Sequence, residues 1–320
     1  MFLKRTGADA TVFLQCKTKN NTSMKTNVFP QALSLLIISC LALSCGHSGR
    51  GLSVVPSPSS VHLGVGTFVF DHNTVISVED NQQKAVADWF SWLFAKPAGF
   101  VPKVFVEAEN PDIVLRYDKA LVPEAYRIKV TRRLIEIEAS GSEGFLYAFQ
   151  TLRQTLPSSI NAVRHADGMV WSVPVMEIYD EPRYSHRCLK IDVTDDVIPI
   201  DELMIFVDYI SILKLNHLHF QGYGLYDKDE FAGLTDYAST LNVNIVPNDG
   251  KAEELYSCPE DLVSRVYEDV AELAEVAWSE KEVIDRISFN EAVDAMDFYI
   301  CQQGLGLSSR IYDLGLSMLR

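Results

Sequence analysis

Along residues 126–139 apolar and charged positions alternate. Tyr126, Ile128 and Val130 are separated by Arg127 and Lys129, and Leu134, Ile135 and Ile137 alternate with Glu136 and Glu138. A period of two predicts a hairpin with one apolar face, its other face covered by cross-strand Arg/Lys–Glu pairs. Shorter β-rich runs precede it at 67–70, 73–78, 103–108 and 112–117, each bounded by turn residues. At helical spacing, Val86, Trp89, Phe90 and Leu93 share one side of a predicted helix over 81–94. A second helix follows the break at Gly141–Gly144, with Phe145, Ala148, Phe149 and Leu152 as its buried stripe and Pro157 as its end. These elements predict a small α+β domain over 51–179, an antiparallel sheet with helices. Its aromatic residues are expected in the core, and none of its residues form a catalytic constellation.

From Asp180 the pattern changes. Cys188–Val193 and Leu215–Phe220 are short runs apolar enough to be buried on both faces, as strands of a parallel sheet are. Between them Pro199 pre-sets a helix start, Asp201 and Glu202 place negative charge in its first turn, and Leu203, Phe206, Val207, Ile210 and Leu213 recur at three- and four-residue steps to an end near Lys214. This is a βαβ unit of a parallel α/β fold, in which polar residues at strand C-terminal ends face the ligand. A further helix over 231–239 and a strand over 243–247 extend it. A second domain, 180–320, is therefore expected.

Composition narrows the partners. With 48% hydrophobic and 22% charged residues the chain is an ordinary globular protein, and its 320 residues allow about two domains. Residues 1–50 carry six Lys/Arg and one acidic residue, which leaves 22 basic against 42 acidic groups beyond them, a net of −20. Such a surface repels phosphate backbones, so nucleic acid is excluded as the expected partner.

The basic first stretch has the layout of a processing signal. Met24-Lys25 is followed by an apolar run from Pro30 to Ala42, and Leu41-Ala42-Leu43-Ser44-Cys45 is similar to the lipobox at which bacterial lipoproteins are cleaved and lipidated. The run is too short to span a bilayer comfortably. The expectation is cleavage before Cys45, lipidation of that cysteine and an exported, membrane-anchored protein at the periplasm or cell surface; an uncleaved anchor is the alternative. Residues 46–58 are a Gly/Ser/Pro-rich tether. Of six cysteines, Cys188, Cys258 and Cys301 remain beyond the signal, an odd number without metal-ligand spacing. Neither a disulfide framework nor a metal site is expected from that spacing.

Three stretches resemble one family. Glu124-Ala-Tyr-Arg-Ile-Lys-Val, Ile135-Glu-Ile-Glu-Ala and Gly144-Phe-Leu-Tyr-Ala-Phe-Gln-Thr-Leu-Arg-Gln-Thr-Leu-Pro157 resemble the N-terminal domain of glycoside hydrolase family 20, the β-N-acetylhexosaminidases. Asp180, Pro182-Arg183-Tyr184, Arg187, Asp192 and Asn216-His217-Leu218-His219 are similar to the first third of that family's (β/α)8 catalytic barrel, and 273–279 to its final barrel helix. The resemblance implies retaining hydrolysis of terminal N-acetylglucosamine or N-acetylgalactosamine in glycans, by a substrate-assisted route. In that route the acetamido oxygen attacks, a Glu serves as acid and base and the preceding Asp steadies the acetamido group, with no cofactor and no metal.

The same resemblance implies which contacts persist here. Arg187 matches the arginine that grips sugar hydroxyls, Glu254 the glutamate that accepts from them, and His219 lies where it could face the pocket. A packed core role for His219 is the alternative. Residues 180–320 are too few for a complete barrel, which needs about 250 residues, so an incomplete TIM-barrel-like domain is expected. Its middle strands and the family's Asp-Glu pair have no counterpart, and no catalytic residue is assigned. Asp180-Glu181, Asp201-Glu202 and Asp229-Glu230 sit at a domain junction or in first helical turns, where acids are favoured for dipole reasons alone. Asp195-Asp196 lies just past the first strand, where a solvated loop is the simpler reading. An inactive hexosaminidase-family chain is the first functional expectation; a non-catalytic glycan-binding or structural surface lipoprotein is the second.

Overall fold

The structure, a computed structural model, describes residues 52–194, 197–248, 270–280 and 289–291. The first part comprises β1 (Ser60–Val69), β2 (Val75–Val78), α1 (Asn81–Trp92), β3 (Lys103–Val106), β4 (Ile113–Tyr117), β5 (Tyr126–Val130), β6 (Ile135–Ala139), α2 (Ser142–Thr155) and β7 (Ser172–Asp180). The second comprises β8 (Cys188–Asp192), α3 (Ile200–Ile212), β9 (His217–Gln221), α4 (Lys228–Thr240), β10 (Asn244–Asn248) and α5 (Val270–Trp278).

The 126–139 hairpin forms as β5 and β6, antiparallel, with Arg127 opposite Glu138 and Lys129 opposite Glu136. Tyr126, Ile128, Val130, Ile135 and Ile137 are buried beneath the helices. The charged face differs in both pairings, since Arg127 Nη1 donates to Asp118 Oδ2 at 2.9 Å. Arg127 reaches Glu138 at 3.6 Å, and Lys129 turns to Glu177 on β7 at 2.9 Å, because β5 has a neighbour on each side.

Strand order across this sheet is β1-β7-β5-β6-β4-β2-β3. The expected antiparallel sheet is corrected to a mixed one. β1, β7, β5 and β6 run antiparallel to their neighbours, whereas β6, β4, β2 and β3 are parallel. A helical connection returns the chain in the same direction, and α1 makes such a crossover between β2 and β3. The interior strand β7, next to the edge strand β1, has no counterpart among the predicted runs. Pro174 lies within it and cannot donate to the ladder, and the register with β1 shifts between Leu63 and Thr67, beside the pair Thr67–Pro174. A bulge at that point accommodates the proline.

Asp80 caps α1 by accepting from the Gln83 amide at 2.8 Å. α2 is buried along almost its whole length, from Gly144 to Arg153. At Gly144 a Cβ would lie 2.7 Å from the Ala125 carbonyl oxygen and 2.9 Å from Ala139 Cβ, so the helix approaches β5 and β6 too closely for any side chain there. The other side of α2 faces α3: Gln150 Nε2 donates to Ser211 Oγ at 3.0 Å, and the Arg153 guanidinium grips Asp208 with both terminal nitrogens at 3.1 and 3.2 Å.

In the second part β8, β9 and β10 form a three-stranded parallel sheet with β9 in the middle. Leu218, Phe220, Ile191 and Ile245 face the core built with Leu203, Phe206, Val207 and Ile210 of α3 and Leu234 and Ala238 of α4. The expectation of burial on both faces is corrected for β9, where buried Leu218 and Phe220 alternate with half-buried His217, His219 and Gln221. The rest of the expected barrel falls largely outside the described residues. Among those that are described, no helix is long and apolar enough to cross a membrane.

Candidate functional site

Both helix-to-strand turns in the second part end in the same way. After α3 the Leu215 amide bonds to Ile210 O and the Lys214 amide to Ser211 O; after α4, Val243 and Asn242 repeat the pattern onto Ala238 O and Ser239 O. These are Schellman caps, with Lys214 (φ 58°) and Asn242 (φ 54°) in the left-handed position that glycine usually takes. Glycine would hold that conformation with less strain, but it carries no side chain. Here both side chains are used, and both point at the first domain.

Lys214 Nζ donates to Asp180 Oδ2 at 2.7 Å and to Tyr126 Oη at 2.8 Å, with no part of either charged side chain exposed. Tyr126 Oη also donates to Asp180 Oδ2 at 2.5 Å and lies 2.7 Å from Thr151 Oγ1. Asp180 Oδ1 accepts from Trp278 Nε1 at 2.9 Å and from the Ser59 amide at 3.0 Å. One carboxylate at the end of β7 thus collects donors from β5, α5, the first strand's approach and the α3 cap. Burial raises the Tyr126 hydroxyl well above its ordinary value, and Asp180 adds to the effect. Burial lowers Lys214, with the Asp180 attraction opposing it. Desolvation is expensive for both charges, and the hydrogen bonds from Tyr126, Trp278 and the Ser59 amide to Asp180, with the Lys214 ion pair itself, offset it.

Beside this pair lies Arg187, 1% exposed. Its Nε donates to Lys214 O at 2.7 Å, Nη1 to Glu124 Oε2 at 2.9 Å and Tyr184 O at 2.7 Å, and Nη2 to Glu124 Oε1 and Tyr147 Oη at 3.0 Å each. Asn242 Nδ2 donates to the same Tyr147 hydroxyl at 2.6 Å. The guanidinium carbon sits 4.8 Å from the Trp278 ring centroid, and Lys214 Nζ sits 4.5 Å from it. Two cations therefore share one indole, which favours them through its ring face.

The expected sugar contacts lie in three different situations. Arg187 has its five N–H groups directed at protein acceptors, so a sugar hydroxyl could reach it only after Glu124 let go. His219 is half-buried on the β9 face turned away from Leu218 and Phe220. Glu254 lies outside the described residues, as do Cys45, Asp195 and Asp196. The three described Asp-Glu pairs belong to the fold: Asp180 to the network above, Asp201-Glu202 to the first turn of α3, and Asp229-Glu230 to the first turn of α4, where Asp227 caps both amides.

Sequence reasoning passed over an imidazole cluster next to Arg187. His186 packs its ring on His217 at 3.9 Å between centroids and meets His219 edge-on at 6.1 Å. His217 Nδ1 lies 2.8 Å from Asn216 Oδ1. Burial, then the neighbouring His186 and His219, lower His217 to about 4; burial and then Arg187 lower His186. At neutral pH both rings are uncharged. The signal was the alternation of His186 with Cys188 and of His217 with His219, which puts like faces together only once the strand register is known.

A family model described as "Glycosyl hydrolase family 20, domain 2" matches residues 51–181, the mixed sheet with its two helices. Residues 51–181 are thus similar to domain 2 of glycoside hydrolase family 20. A beta-N-acetylhexosaminidase of Cellulomonas fimi is 30% identical over 177 residues, which are 52% of this chain and 34% of that protein. A beta-hexosaminidase of Porphyromonas gingivalis is 24% identical over 174 residues, 53% of this chain and 22% of the relative. The chain thus spans about a fifth to a third of the length of these curated relatives. Among solved structures, the family 20 beta-N-acetylhexosaminidase of Streptomyces coelicolor aligns with a TM-score of 0.56 at 26% identity, over 61% of this chain and 45% of that one. A mutant Streptomyces plicatus beta-hexosaminidase, solved with its product GlcNAc, gives a TM-score of 0.56 at 25% identity over the same shares.

Proposed function

We propose that this chain is a hexosaminidase-family protein directed to N-acetylglucosamine- or N-acetylgalactosamine-bearing glycans that does not hydrolyse them, its β8–β10 lobe being part of an incomplete (β/α)8 barrel. The kinship supports the glycan class. One observation carries the non-hydrolytic reading: Arg187, the residue that the resemblance assigns to the sugar, is committed to Glu124, Tyr147 and Lys214 inside the protein. The described Asp-Glu pairs are likewise committed to helix starts and to the buried Lys214 pair. Acid–base hydrolysis needs a carboxyl within hydrogen-bond reach of the glycosidic oxygen, and those roles keep the three pairs from supplying one.

Purified chain should release no chromophore from 4-nitrophenyl N-acetyl-β-glucosaminide, yet bind free N-acetylglucosamine saturably in the millimolar range. Turnover that follows the folded protein through purification contradicts the first half of the reading. Absence of saturable binding contradicts the second.

The sequence of Leu41–Cys45 supports an exported protein, lipidated at Cys45 and held at a bacterial membrane. Labelled palmitate should enter the wild-type chain in a bacterial host and be lost on Cys45→Ala. Equal labelling of the two would remove Cys45 as the anchor.

A further inference from the structure

We propose that His186, Cys188 and His219 form a binding site for a transition-metal ion of borderline softness, with Zn2+ the best chemical fit, built across β8 and β9. The three side chains each bring one ligand atom, and these atoms all lie within 4.8 Å of one another. Zinc bonds of about 2.0–2.1 Å to nitrogen and about 2.3 Å to sulfur put tetrahedral ligand atoms about 3.3–3.6 Å apart. The upper limit of 4.8 Å exceeds that spacing by about an ångström, a gap on the scale of side-chain torsional adjustment.

The register explains why the three converge. Cys188 pairs with His217 and residue 190 with His219, so Cys188 and His219 are diagonal neighbours on one face of the parallel pair. His186 lies two residues before Cys188, and its ring meets that of His219 edge-on. His217 is outside the triad; its ring rests on His186, and its Nδ1 lies 2.8 Å from Asn216 Oδ1.

Two imidazoles and a thiolate select against calcium and magnesium, which take oxygen, and for zinc or its neighbours. As the Sγ–metal bond forms, the thiol proton leaves to solvent. Three protein ligands leave a fourth tetrahedral position for water. The spacing of cysteines along the chain gives no hint of this site, because two of its three ligands are histidines that only strand pairing brings to Cys188. The inference does not depend on the glycan reading, and it gives His219 a partner other than a sugar.

The test is Co2+ titration of the reduced, metal-free full chain. One equivalent should produce the visible bands of a tetrahedral site and a thiolate-to-cobalt charge-transfer band, both displaced by Zn2+. Cys188→Ser should abolish the charge-transfer band, and His186→Gln and His219→Gln should each weaken Co2+ binding by at least about tenfold. No charge-transfer band in the wild type, or one that survives Cys188→Ser, overturns the site. The two Gln variants decide the matter should Cys188→Ser shift the thermal transition: affinity unchanged in both is the overturning result.

Discussion

The seven-stranded sheet has two completed faces. One lies under α1 and α2, and the other presents Arg127, Lys129, Glu136 and Glu138 to water, with Lys129 paired to Glu177 of β7. The three-stranded sheet has one such face, packed under α3 and α4, while its other face holds His217, His219 and Cys188 half-buried. The difference is one of self-sufficiency. The first sheet closes its own apolar surface with helices next to it in sequence. The second draws on the first domain, through Lys214 to Asp180, Arg187 to Glu124, Asn242 to Tyr147 and Arg153 to Asp208.

Asp180→Ala should show the largest effect, because it strands Lys214, the Tyr126 hydroxyl and the Trp278 indole in a dry site. A loss of about 3–5 kcal/mol is expected in urea unfolding, as for other broken buried pairs. A loss below about 1 kcal/mol would mean that the join is not what ties the two sheets together.

Leu218→Ala removes a buried side chain from the centre of β9 and should cost about 2–5 kcal/mol. Hydrogen exchange sharpens the comparison here. Faster exchange is expected in β8–β10 while β5 and β6 keep their protection, and uniform loss across both sheets would contradict a self-sufficient first domain.

Glu275→Gln should stabilise by on the order of 1 kcal/mol at neutral pH. Glu275 is buried, takes the Ser57 amide at 2.9 Å, and is raised above its ordinary 4.5, first by burial. A carboxyl raised on folding favours the fold below its unfolded pKa and loses that contribution as pH rises through the folded value. The stabilisation by Gln should therefore disappear below about pH 4.5 in thermal melts. A gain that is constant with pH would point to packing and not to charge.

Lys129→Ala is the smallest case. Its ion pair with Glu177 is more than half exposed on both sides, and the change should stay within about 0.5 kcal/mol. A larger loss would show that the solvent face of the first sheet contributes more than its exposure suggests.

Much of the first domain was legible because local pattern and final packing agree. The alternation at Tyr126–Val130 and Ile135–Glu138 describes the same face that α2 covers. β7 was not legible, since Pro174 argues against an interior strand until the neighbouring bulge is known. The role of Arg187 was hidden for a different reason. Its partner Glu124 lies 63 residues away, on a backbone turn at φ 66°, a pairing that no periodicity reports. Lys214 was visible as a helix end but not as a buried cation, because a left-handed cap looks the same in sequence whether or not its side chain is used. The His186, Cys188 and His219 cluster needs the β8–β9 register, which exists only in the folded chain.

The most direct test of the account is the rate of 4-nitrophenol release from 4-nitrophenyl N-acetyl-β-glucosaminide by purified full-length chain that unfolds in one cooperative thermal transition. A rate equal to the buffer blank is predicted. Release above the blank that co-purifies with the chain and disappears when the chain is unfolded would contradict it.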